Sequence, residues 1–288
     1  MKTVEQGGQN HRLALLEKYG LVASDLTVPL PSGGIIYPLY DDKSPIVDIQ
    51  IRAMTVTEMD ILANRENIID LTFISKVIAS CIIPPIKGWP RNPDEEGKNL
   101  TTSDLVGLLV NDDLETVMLA LRLCTYGPTY NYEHQCSNCD KSRAGEIDLS
   151  AFETTELPIQ PTDPGTNRFL VQDPKLLNGA PVVLKLPSVK DGEILRREVM
   201  VRESRNLDKK GSMQARLERS VLEVGETTNV SDVRFIVQRM SAGMLEALYE
   251  QVEKLEFGPD IVHKDQICPG CKHTEDVPVP LAQVVFFR

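Results

Sequence analysis

Aromatic residues are scarce in this chain: they make up 5% of 288 positions, and Trp89 is the single tryptophan. Surfaces that stack bases or sugar rings need several such side chains, so the composition points to neither. Basic residues are also in deficit, since 31 Lys and Arg face 42 Asp and Glu for a net charge of −11. That balance argues against a general nucleic-acid or anionic-membrane binder. No apolar run approaches the roughly 20 residues of a membrane span. The polar stretch 1–9 has no signal-peptide core, and the expectation is a protein made and kept in cytosol. There is no GxSxG, no HExxH and no Walker lysine. What remains, 41% apolar and 25% charged residues, is ordinary for a soluble globular protein. The length suffices for a sizeable core without disulfides.

Against these absences stand six cysteines. In a reducing compartment they read as metal ligands or buried thiols. Four form two CxxC pairs, Cys136-Ser137-Asn138-Cys139 and Cys268-Pro269-Gly270-Cys271. Each pair sits between strand-like stretches and reads as the tip of a hairpin, a zinc knuckle. Four thiolates complete one tetrahedral, closed and therefore structural site, although Cys139 and Cys268 lie 129 positions apart. One zinc ion is the predicted cofactor, with iron the open alternative. A thioredoxin-type redox pair would open a helix, and neither pair does. His134 and His263 flank the knuckles as substitute ligands or as ordinary strand residues. Cys81 and Cys124 fall in apolar runs and read as core.

The rest of the chain reads as α+β: helical layers with short β-hairpins and a split four-cysteine zinc ribbon. Three units are expected. Residues 1–45 form an N-terminal helix (11–19) and an extended Pro/Gly-rich arm reaching a neighbour. Residues 46–157 form a first α+β half ending in the first knuckle, and 158–288 a second half ending in the second. Residues 46–52 alternate as a strand, and Thr55 with Glu58 three positions on signals a capped helix. The segment 68–83 is apolar at helical spacing up to Pro84-Pro85. The segment 102–125 is the strongest helical stretch, with a second start at Asn111-Asp112-Asp113 and a stop at Gly127-Pro128. Strands are predicted over 130–134, 145–149, 168–171, 182–186, 261–267 and 277–287. Helices are predicted over 191–224 with a break at 206–211, then over 231–239 and 241–255. Arg196, Arg197, Arg202 and Arg205 interleave with Glu193, Glu198 and Glu203, the pattern of a solvated helix with i,i+4 ion pairs. Gly33-Gly34 reads as a loop, Asp41-Asp42 as a solvated turn, and Phe286-Phe287 as a core or docking end. The shared order of strand, helix, Gly-Pro and knuckle in the two halves is what a pseudo-repeat would give.

Several short motifs, in order, resemble one family. They are Leu30-Pro31-Ser32-Gly33-Gly34 with Tyr37-Pro38, then Ile49-Gln50-Ile51-Arg52-Ala53-Met54-Thr55. Tyr126-Gly127-Pro128-Thr129-Tyr130 leads into Cys136 and Cys139, and Ile147-Asp148-Leu149 follows. Cys268-Pro269-Gly270-Cys271 precedes Val279-Pro280-Leu281 and Phe286-Phe287. Together they resemble the baseplate hub proteins of T-even-type contractile-tailed bacteriophages. The resemblance implies a structural, non-enzymatic tail protein that binds other baseplate or tail proteins during assembly. It implies a place in the virion tail and, during assembly, in host cytoplasm, with no small-molecule substrate, nucleic acid or membrane. Two rivals stay open: a zinc-ribbon nucleic-acid binder and a thiol oxidoreductase. The charges near the knuckles are balanced, which speaks against the first.

Overall fold

The computed structural model describes residues 25–64, 72–204 and 212–279. The predicted helix at 11–19, the stretch 1–9 and the Phe286-Phe287 end lie outside the described residues. Strands β1 (Leu26–Pro29), β2 (Asp48–Ile51) and β3 (Ile82–Ile83) form an antiparallel sheet in the order β1-β2-β3. Alternation in β2 buries Ile49 and Ile51 and exposes Asp48 and Gln50, as the sequence pattern requires. Helix α1 (Val56–Ala63) begins with the expected Thr55–Glu58 capping box. Helix α2 (Phe73–Cys81) buries Phe73, Val77, Ile78 and Cys81. Helices α3 (Thr102–Leu108) and α4 (Asn111–Tyr126) split where the spacing placed the second start. Gly127 stops α4 at a φ of 81°, a conformation costly for residues with a Cβ.

Strands β4 (Thr129–Gln135) and β5 (Ser142–Asp148) pair residue for residue as an antiparallel ribbon. Beyond it, β6 (Thr154–Thr155) pairs with β10 (Gly258–Pro259). A second three-stranded sheet holds β7 (Phe169–Val171), β8 (Val182–Leu184) and β9 (Val221–Val224). Around it lie α5 (Val189–Ser204), α6 (Ser212–Ser220), α7 (Val230–Val237) and α8 (Ala242–Glu253). The chain closes with the ribbon β11 (Val262–Ile267) and β12 (Thr274–Pro278). Every pairing of these strands is antiparallel, and the α+β reading stands.

Two hydrophobic cores result, and they divide the chain differently from halves at 46–157 and 158–288. The larger takes Val28, Ile49, Val77, Leu121 and Leu149, and from the far end of the chain Leu255, Phe257, Val277 and Val279. The smaller is an excursion: Val171, Val182, Leu217, Val221, Val233 and Leu248 pack around the second three-stranded sheet. Both knuckle ribbons therefore hang on the larger core.

Three further expectations are corrected. Residues 25–45 are not a reaching arm: Val28, Leu30, Ile36 and Tyr37 are buried in the larger core, because the Pro/Gly-rich stretch carries apolar residues that the bends turn inward. Residues 221–224 form strand β9, not helix, since its buried ends Val221 and Val224 gain burial beside β8. The exit strand starts at Thr274, directly after the knuckle, because a ribbon must pair from its tip.

Candidate metal centre

The two ribbons β4–β5 and β11–β12 bring their tips together, and Cys136, Cys139, Cys268 and Cys271 converge with all four sulfurs within 4.8 Å of one another. Across the gap, Cys136 Sγ lies 3.7 Å from Cys271 Sγ, and Cys139 Sγ lies 3.8 Å from Cys268 Sγ. These separations are far too long for a disulfide at about 2.05 Å. A tetrahedron with metal–sulfur bonds of about 2.3 Å has edges of about 3.8 Å, and the observed separations match it.

The knuckles are built alike. In the first, Cys136 C=O accepts from Asp140 N–H at 2.9 Å, and Cys136 N–H donates to Lys141 C=O at 3.1 Å. In the second, Cys268 C=O accepts from Lys272 N–H at 2.9 Å, and Cys268 N–H donates to His273 C=O at 2.8 Å. The residue after each second cysteine turns left-handed, Asp140 at φ 56° and Lys272 at φ 63°. Cys136 and Cys268 are buried, while Cys139 and Cys271 are half-buried. A Cβ on Gly270 would meet Lys141 Cδ at 3.1 Å, so Gly270 lets the Lys141 side chain of the other knuckle close over it.

The thiols differ in acidity across each pair. Hydrogen bonding from Asn138 and the His273 backbone pulls Cys271 down to about 6, and backbone N–H groups of Cys271 and Gly270 lower Cys268. Their partners Cys136 and Cys139 are raised. Each raised thiol thus faces a lowered one across the gap.

The ribbons are also pinned by residues the sequence did not flag. Glu275 of β12 accepts from Ser137 N–H at 3.1 Å and from Arg143 of β5 at 3.2 Å. Those Ser137 bonds hold its carboxyl down at about 2. Arg143 and Glu275 are 9% and 11% exposed, so the pair is nearly dry and specific in geometry. No local motif announces it, because Arg143 and Glu275 are joined only when the tips meet. The two histidines stand outside the sulfur cluster. His134 Nε2 lies 3.3 Å from Glu275, and His263 Nδ1 shares a 2.8 Å hydrogen bond with the Tyr132 hydroxyl. Cys81 is buried and pushed up to about 12 by burial and the nearby Glu58 charge. Cys124 is half-buried, and burial raises it as well.

Away from the sulfurs, the Asp pairs split in role. Asp113 is fully buried and accepts from the Ser32 N–H at 3.1 Å and from the Ser32 and Tyr37 hydroxyls. Tyr37 in turn accepts from Val110 N–H at 3.1 Å. The Leu30–Gly34 motif is thereby tied to the first turn of α4. Gly34 sits at φ 68°, and a Cβ there would run into the Ile46 backbone. Asp41 and Asp42 are exposed, as a solvated turn requires. No helix among the described residues is long and apolar enough to cross a membrane.

No curated protein and no solved structure matches the chain. A family model described as T4 bacteriophage base plate protein matches residues 26–288, nearly the whole chain.

Proposed function

We propose, because the chain belongs to the T4 bacteriophage base plate protein family, that it is a non-catalytic component of a contractile-tail base plate whose two ribbons are clamped by one zinc ion. The ligands in this reading are Cys136, Cys139, Cys268 and Cys271. The chain binds neighbouring tail proteins while the base plate is put together in host cytoplasm, and it stays in the virion tail. One observation carries the metal reading: four sulfurs from ribbons 129 positions apart lie within 4.8 Å of one another, with the two cross-gap separations of 3.7 and 3.8 Å at the edge length of a tetrahedron. Four protein thiolates leave no open position for substrate, which supports a structural role for the ion. The parallel construction of the knuckles fits a pseudo-repeat. Iron would accept the same ligands.

The nucleic-acid alternative is weaker, since Glu275 already occupies Arg143 and the described surface near the tips carries Asp140, Asp265 and Asp276 beside its lysines. Elemental analysis of the purified chain tests the metal reading. One zinc per chain, lost in both Cys139→Ser and Cys271→Ser, is the expected result; two metals lost independently would refute the shared site. Incorporation of the same variants into base plates tests the structural role, and undiminished assembly by metal-free protein would refute its dependence on the clamp.

A further inference from the structure

A second feature lies where the two cores meet. A cavity of about 230 Å³ opens between the start of α4, the start of α5 and helix α6. Four cations line it, Lys185, Arg196, Arg216 and Arg219, against a single carboxylate, Asp191. That sign is opposite to the chain as a whole, which carries −11.

The carboxylate is already satisfied. Asp191 accepts from Lys185 Nζ at 2.7 and 2.8 Å and from Ser188 N–H at 3.1 Å and Ser188 Oγ at 2.9 Å. Arg219 spends one edge on Glu198 at 2.6 Å and keeps its other donors. Among the described residues, neither Arg196 nor Arg216 has a carboxylate within ion-pair distance. Arg196 lies close to the first turn of its own helix. Gly192 stands inside α5, where glycine costs about 1 kcal/mol relative to alanine, and its missing Cβ would sit 3.6 Å from Arg196 Nη1. The guanidinium thus lies beside its own helix at the cavity wall and stays open to solvent, where an anion can reach it. Cations gathered around a small space repel one another until an anion sits between them. Arginine forks match the paired oxygens of carboxylate and phosphate.

We propose that this cavity binds a compact oxyanion, a carboxylate or a phosphate, held chiefly by Arg196 and Arg216. The anion would lock α6 of the smaller core against α5 and the larger core. Isothermal titration of the intact, metal-loaded chain tests it with two probes: inorganic phosphate and a glutamate-rich peptide. The expected result is saturable one-to-one binding of at least one probe, weakened about tenfold or more in Arg196→Gln with Arg216→Gln. Arg234→Gln, an exposed arginine outside the cavity, should leave binding unchanged. Phosphate binding assigns the site to a free anion; binding of the peptide alone assigns it to carboxylates on a neighbouring protein. Both arginines are exposed, so the double variant should keep its circular dichroism and metal content. Absence of binding by both probes, or equal weakening by Arg234→Gln, overturns the proposal.

Discussion

Removing the metal should lower stability by an amount that the ring size fixes. In the unfolded chain the four thiols can reconverge only by closing a loop of 129 to 135 positions. The chain-entropy relation puts that closure at about 5 kcal/mol at 25 °C. Folding has already made this closure, because both ribbons are anchored on the larger core through Ile147, Leu149, Val277 and Val279. Zinc should therefore bind the folded chain about 10³ to 10⁴ times more tightly than it binds four thiols of the unfolded one. Saturating zinc should then stabilise the fold by about 5 kcal/mol. With a urea m-value near the upper end of the usual range, about 3 kcal/mol/M, the midpoint should move by about 1.5–2 M. The assay is urea unfolding followed by circular dichroism under reducing conditions, with zinc or with chelator. Cys139→Ser provides the control and should show little response to either. Superimposed curves for zinc-loaded and chelated wild-type protein would refute the argument, since the clamp would then hold nothing that folding does not hold alone.

Thiol reagents give a second check: after chelation Cys271, half-buried with its thiol lowered to about 6, should alkylate quickly in the folded protein, while Cys81, buried with its thiol pushed up to about 12, should stay unmodified, as mass spectrometry of the digested protein will report. Gly34→Ala should cost more than about 2 kcal/mol, because a left-handed φ of 68° is joined by a collision with the Ile46 backbone. Gly33→Ala, left-handed at φ 61° but facing open space, should cost only about 1 kcal/mol, and equal melting temperatures for the two would contradict this. Asp113→Ala should destabilise by about 3 kcal/mol or more, since the buried Ser32 N–H and two hydroxyls lose their acceptor; a midpoint unchanged in urea would count against it. Asp112 predicts a pH effect. Burial raises its carboxyl to about 6 in the folded state, against about 3.9 unfolded, so the folded chain resists its ionisation. Stability from this group should rise as pH falls from 7 through 6 and level off below about 4. Asp112→Asn should add about 1–3 kcal/mol at pH 7 and almost nothing at pH 4, and an equal gain at both values would exclude the mechanism.

Much of this architecture was legible in the sequence because local chemistry decides it. The Thr55–Glu58 box, the second helix start at Asn111, the stop at Gly127 and the alternation of Ile49 and Ile51 each depend on neighbours within a turn or two, and each is where the pattern put it. The convergence of four cysteines was legible for a different reason: few arrangements other than a shared cluster explain two CxxC tips. The failures lie where long-range packing overrides composition. A Pro/Gly-rich stretch looked extended, yet Asp113, far along the chain, ties it into the core. The charged run was expected to pair along its own helix, but Glu198 meets Arg219 of α6 and Glu193 accepts from Ser75 of α2. Val221–Val224 became a strand only because β8 lay beside it. The boundary between cores was hidden for the same reason, since Leu255 to Val279 return to a core begun near Val28.

That return sets the order in which the protein can come into being. A nascent chain leaving the ribosome carries the first cysteine pair long before the second exists, so any metal it captures is held by half a ligand set. The core that contains Val28 stays open over the same interval, waiting for Val277 and Val279. Folding of the larger unit is thus deferred until synthesis has passed Cys271, whereas the smaller core, complete by Val252, can form earlier and wait. A chain cut short between the two ribbons would be left with a closed small module on an unfinished large one. Such a fragment differs from a finished subunit by its exposed thiols and apolar surface.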